Sequence, residues 1–198
     1  MTPERIARLT NILSMRQPGL SVVLENVSDP HNISAVMRTC DAVGIQEIFI
    51  LNTTIGKYKK FGKKSSSSAS KWLTINQFTD AAECFKILRS KYDKIYSTHL
   101  SDDAISLHNL NLTESVALVF GNEHDGISKE TLDLCDGNFI IPQVGIIKSL
   151  NISVACAVSL YEAYRQKEIA GHYKTPQLSS SQYNSLIEKW ELPEDCKK

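Results

Sequence analysis

The spacing of apolar residues changes repeatedly along the chain, and each change predicts an element. Residues 3–14 place them on one face of an amphipathic helix, with Arg5, Arg8 and, just beyond, Arg16 nearby. LSVVLENV (20–27) is a short apolar run of strand type. Over 33–43, Ile33, Val36, Met37, Cys40 and Val43 recur at helical spacing, Asn32 stands where an N-cap belongs, and Gly44 supplies the stop. Arg38 falls off this apolar stripe, in the middle of the helix. EIFIL (47–51) predicts a strand, and the Lys- and Ser-rich 57–71 a loop. Asp80 and Glu83 have capping-box spacing for a helix running to about Arg89. KIYSTHL (94–100), SVALVFG (115–121) and NFIIP (138–142) read as further strands, with a short helix after Ser128. A long helix is expected over about 151–168. Ser179 and Gln182 precede a last helix with Tyr183, Leu186, Ile187 and Trp190 on one face.

Strands that alternate with helices predict an α/β domain with a mostly parallel sheet, and their near-continuous apolar runs predict a sheet covered on both faces. The 198 residues suffice for one domain. We expect an N-terminal helical extension over 1–17, the main domain over 18–170 and a tail with an amphipathic helix over 171–198.

Composition narrows the function classes. No apolar run approaches the roughly 20 residues that span a bilayer, and the start lacks the apolar core of a signal peptide, so a cytoplasmic protein is expected. The five cysteines are scattered without a C-x-x-C pair, which favours reduced thiols over zinc ligands or disulfides; no metal is expected. Net charge is zero, so overall charge gives no argument for a nucleic-acid partner. Its distribution says more: 57–71 holds six lysines and no acid. Lys59, Lys60, Lys63 and Lys64, beside Tyr58 and Phe61, form either a phosphate-contacting surface or a solvated loop.

Three stretches depart from simple packing. ENVSDPHNISAVMRTCDAVG places Asp29, His31 and Asn32 in the loop after a strand, the ligand side of a parallel sheet, yet carries no G-x-G-x-x-G. LVFGNEHDGIS ends a strand in a polar cluster, either a turn or a site. IPQVGIIKSLNISVACAV joins a glycine loop to Ser149, Leu150 and Asn151 and then to a very apolar helix; a core helix capped by Ser149 or Asn151 explains the helix but not the polar trio.

Together these stretches resemble, in order, the three motifs of the SpoU (TrmH-type) RNA 2′-O-ribose methyltransferases of the SPOUT superfamily: N-x-x-D-P-x-N-x-x-x-x-x-R-x-x-x-x-x-G, F-G-x-E-x-x-G and I-P-x-x-G-x-x-x-S-L-N-x-S-V-A. The match spans about 26–166. It implies a SPOUT-type α/β domain with a C-terminal deep trefoil knot, flanked by short N- and C-terminal helices. It implies S-adenosyl-L-methionine as donor, with Thr98, Gly121, Ile141 and Leu150 around the cofactor and Asn32, Arg38, Glu123, Ser149 and Asn151 around the reacting centre. It also implies a homodimer packed through the helix after the third motif. THLSDDAISL and YEAYRQ resemble the members that methylate guanosine 18 in the tRNA D-loop; methylation of rRNA or another tRNA position, or RNA binding without catalysis, are the alternatives. Arg5, Arg8, the four loop lysines, Arg165 and Lys167 are the expected RNA contacts. The arginine-rich tail of those members is thin here, and position 148 is Lys. His31 could serve as a base near neutral pH or be structural.

Overall fold

The computed structural model describes residues 1–56 and 69–198. Its helices are α1 (Pro3–Ser14), α2 (Pro30–Ala42), α3 (Ala69–Trp72), α4 (Ala81–Arg89), α5 (Lys129–Asp133), α6 (Ile152–Ile169) and α7 (Ser180–Lys189). Its strands are β1 (Leu20–Glu25), β2 (Glu47–Leu51), β3 (Thr74–Phe78), β4 (Lys94–Thr98), β5 (Ile105–Ser106), β6 (Val116–Phe120) and β7 (Gly137–Ile140). Among the described residues they form one seven-stranded sheet, ordered β3-β2-β1-β6-β4-β7-β5, with every pairing parallel. From β1 the chain moves outward through β2 to β3, returns at β4, and later inserts β6 between β1 and β4. This reversal puts the usual ligand crevice at the carboxyl ends of the central strands.

Alternating residues of β1 supply both layers. Val22 and Leu24 pack with Ile33, Met37 and Cys40 of α2 and with Cys156 and Leu160 of α6; Val23 packs with Cys84, Phe85 and Leu88 of α4. A third cluster joins the termini: Leu9 and Leu13 of α1 meet Tyr183, Leu186 and Ile187 of α7 and Trp190.

Three element starts and ends refine the sequence reading. α2 begins before Asn32: Pro30 occupies its first turn, and the Asp29 carboxylate caps it by accepting from the His31 N–H at 2.8 Å. This shift frees the Asn32 side chain. Gly44, at φ +83°, closes the helix, and a Cβ there would stand 2.7 Å from the Met15 carbonyl. The cap of α6 is Asn151, whose Oδ1 accepts from the Ser153 N–H at 2.9 Å. Two strands lacked a sequence signal: β3, an edge strand with the polar run TINQF, and the two-residue β5. Both take their geometry from the neighbouring strand. Within the expected loop, 69–72 is helical, while Lys59, Lys60, Lys63 and Lys64 lie outside the described residues.

Candidate functional site

The three motifs converge at the carboxyl edge of the sheet. Asn32 comes from the first turn of α2, Glu123 from the loop after β6, and Asn151 from the cap of α6. The Asn32 amide donates to Glu123 Oε1, and its carbonyl accepts from Asn151 Nδ2 at 3.1 Å. Asn151 Oδ1 in turn accepts from the Ser153 N–H and hydroxyl, the latter at 2.6 Å. The direction of this chain follows from chemistry. An ionised carboxylate only accepts, so Asn32 turns its NH2 toward Glu123 and its oxygen toward Asn151. Residues 91 and 119 positions distant from Asn32 are thereby locked to it.

Arg38 is exposed on the same helix, about 9 Å along its axis from Asn32. Asp41, three positions on, accepts from Arg16 at its Oδ1 at 2.6 Å. Ser149 is exposed two residues before the α6 cap. Thr98, Gly121 and Ile141 stand at or just beyond the ends of β4, β6 and β7, three neighbouring strands, and Leu150 is half-exposed beside the α6 cap. An adenine ring needs an apolar wall with backbone donors and acceptors. Ile141 and Leu150 place apolar side chains at this edge, and residues 142–149 between them are exposed, surroundings whose chemistry suits an adenosyl group. Gly121 has a local reason to be glycine: a Cβ there would lie 2.3 Å from the backbone of Gly126, which closes the loop through paired N–H···O bonds with Asn122.

The expected RNA contacts divide. Arg5 and Arg8 are exposed on α1 and line an open groove with Ile12, Trp72 and Trp190. Arg165 is exposed but forked onto Glu162, with Nη2 at 2.7 Å and Nε at 3.0 Å. Lys167 is a correction: it is buried, and its ammonium donates to the carbonyls of Thr113 and Glu114 at 3.1 and 3.3 Å, so it presents nothing to a polyanion. Arg16 is also buried, donating to the Ile45 carbonyl at 2.9 Å and lying over the Trp190 ring. The sequence reading assigned Glu25 no role, and it named Asn26 and Asn122 only as members of the first motif and of the polar cluster after Gly121. A carboxylate closing the otherwise apolar run LSVVLE was the available signal.

A parallel α/β sheet with an amide–carboxylate chain at its carboxyl edge and three motifs converging there defines the class: the chain belongs to the SpoU rRNA Methylase family, whose profile matches residues 19–161. Among its relatives, the tRNA (guanosine(18)-2′-O)-methyltransferase of Thermus thermophilus is 41% identical over 189 residues, covering 96% of each chain. The A. aeolicus TrmH/SpoU tRNA modifying enzyme, at 34% identity, superposes with a TM-score of 0.87 over 94% of both chains. The SpoU methyltransferase AviRb from Streptomyces viridochromogenes, solved in complex with the cofactor AdoMet, shares the fold at 24% identity and a TM-score of 0.69, over 80% of this chain and 61% of its own.

Proposed function

We propose that this chain is a tRNA 2′-O-methyltransferase acting on guanosine 18, with S-adenosylmethionine as donor. The observation that carries the reading is the Glu123–Asn32–Asn151 chain at the ligand edge of a sheet whose sequence parallels a guanosine-18 methyltransferase from end to end. The cofactor supplies an electrophilic methyl group when bound, and Thr98, Gly121, Ile141 and Leu150 would hold it. The protein must then place a ribose hydroxyl in line and stabilise charge on its oxygen. Arg38 suits that second task. A guanidinium stays protonated and donates in a planar fork, so it can grip a phosphate and the 2′-oxygen together, and a substrate phosphate oxygen takes the proton. Asn32, oriented by Glu123 and Asn151, fixes the loop in which the ribose would lie, and Ser149 stands at its rim.

The proposal includes a homodimer. α6 buries Ile152, Cys156, Leu160 and Ala163 while exposing Val154, Val158 and Tyr161 in a stripe on its other face. Ile146 and Ile147 are exposed in the preceding loop. An apolar surface of this extent marks a protein contact. The proposal also includes the deep trefoil knot, supported by the late strands β6 and β7 flanking the earlier β4, the three-part division at 17/18 and 170/171, and a cytoplasmic setting, supported by free buried thiols. Among the described residues no helix is long and apolar enough to cross a membrane.

The test is methyl transfer from labelled S-adenosylmethionine to unmodified tRNA, to the same tRNA already methylated at the guanosine 18 ribose, and to rRNA. Label is expected in the first alone, and an equal signal in the pre-methylated tRNA would overturn the assignment of position.

A further inference from the structure

β1 is buried along its whole length, yet its last residue is a carboxylate. Glu25 is fully buried. Its Oε2 accepts from the Ser128 N–H at 3.0 Å, while Oε1 accepts from the Ser128 hydroxyl at 2.6 Å and the Thr131 hydroxyl at 2.8 Å. Taking a carboxylate out of water is costly unless its oxygens are satisfied, and here three neutral donors do so. Helix capping does not require it. Ser128 caps α5 by itself, accepting from the Thr131 N–H at 3.2 Å. What the carboxylate adds is a tie between the end of β1 and the far end of the 121–128 loop.

The next residue ties the near end. The Asn26 carbonyl accepts from Asn122 Nδ2 at 2.8 Å. Asn26 adopts φ +50°, a left-handed conformation that asparagine tolerates, and its side chain bonds Thr53 Oγ1 at 2.9 Å and the Thr54 N–H at 3.0 Å. Between the two ties, Asn122 and Gly126 exchange backbone N–H···O bonds at 3.0 and 2.9 Å, and Asn122 Oδ1 accepts from the His124 N–H at 2.7 Å. Glu123 sits on the exposed excursion so enclosed. Glu25 lies on the Val23 face of the sheet, with α4 and α5; Asn32, the partner of Glu123, lies on the α2 face.

We infer that Glu25 is a positioning residue for methyl transfer, holding the 121–128 loop from behind the sheet so that the Glu123 carboxylate meets Asn32. The inference rests on the reading above, in which Glu123 orients the reacting centre. Residues 123–126 form an exposed tip, and the anchored ends, where Ile127 is buried beside Ser128, set where that tip stands. Loss of one acceptor oxygen at Glu25 leaves a buried donor without a partner and lets the loop shift, and a shift of about an ångström at a positioning group is enough to slow turnover severely.

The test is a double-mutant cycle on the full-length protein with Glu25→Gln, Glu123→Gln and the pair, measuring kcat and KM on unmodified tRNA, affinity for S-adenosylhomocysteine by calorimetry, and the thermal midpoint. Glu25→Gln keeps the shape of the side chain but offers one acceptor oxygen where three donors converge. It is expected to lower kcat about tenfold or more, with KM and S-adenosylhomocysteine affinity within about twofold. In the Glu123→Gln background it should lower kcat less than about twofold further, because the group it positions is already gone. A loss of the same factor in both backgrounds would show a merely structural role and overturn the inference, as would a folded Glu25→Gln with wild-type kcat. Wild-type kcat in Glu123→Gln alone would instead remove the underlying reading. If Glu25→Gln does not fold, Thr131→Val withdraws one donor by a near-isosteric change. About a threefold loss of kcat, absent in the Glu123→Gln background, supports the inference, and an additive loss overturns it.

Discussion

At the scale of single residues, Arg38 poses the sharpest question. As an ordinary surface arginine it would pair with Asp41, three positions on, for about 0.2–0.5 kcal/mol. Arg16 donates to Asp41 as well, so this carboxylate keeps an ion pair when Arg38 is removed. Replacement by alanine should therefore leave the fold and S-adenosylhomocysteine affinity intact while lowering kcat roughly 100-fold. Arg38→Lys should recover little, since an ammonium cannot span two oxygens with a planar fork. Near-wild-type turnover of Arg38→Ala would falsify the catalytic role. Lys167 makes a different prediction. Burial pushes its pKa from 10.5 down to about 8. Between those values the unfolded chain holds a proton that the folded chain has released, so this residue makes stability rise with pH from about 8 to 10.5. The urea midpoint of the wild type should climb relative to Lys167→Met between pH 7.5 and 9.5. A constant difference would contradict a buried ammonium, and the variant should leave KM for tRNA unchanged.

At the scale of elements, the two terminal helices are one unit. α1 buries Leu9 and Leu13 against α7, and Trp190 fills the seam, 2% exposed, with Nε1 donating to the Trp72 carbonyl at 3.2 Å. Trp72 meets it edge-on, with ring centroids 5.1 Å apart. Trp190→Ala should cost about 3–5 kcal/mol and loosen α1, which carries Arg5 and Arg8. If those arginines contact tRNA, KM for tRNA should rise well above twofold at a temperature where the variant is still folded, with S-adenosylhomocysteine affinity preserved. An unchanged KM would take α1 out of the RNA surface.

At the scale of the whole molecule, the proposed homodimer rests on the exposed stripe on α6. Val154 is 46% exposed in the single chain, so Val154→Glu should fold; placed against a second copy, its carboxylate would be desolvated without a partner. Sedimentation should find the wild type dimeric at micromolar concentration and the variant monomeric. A monomeric wild type would remove the second chain from the site.

The sequence by itself determined what local chemistry determines. Apolar periodicity placed α1 and α7 within a residue or two, continuous apolar stretches placed α6 and the central strands, and the serine–glutamine spacing at 179 and 182 formed the reciprocal capping box. The family resemblance grouped Asn32, Arg38, Glu123, Ser149 and Asn151, and of these the structure links Asn32, Glu123 and Asn151 by hydrogen bonds. Tertiary structure decided the rest, because it depends on partners far along the chain. TINQF is a strand because β2 offers it a ladder, not because of its own side chains. Lys167 reads as a cation for solvent until the carbonyls of Thr113 and Glu114 enclose it. Asp29 rather than Asn32 caps α2, which leaves Asn32 for partners 91 and 119 residues away. Glu25 reads as the end of a strand, and only the fold brings Ser128 and Thr131, more than 100 residues on, to its oxygens. A side chain's identity sets which bonds it can make, and only the packed chain sets which atoms stand within reach.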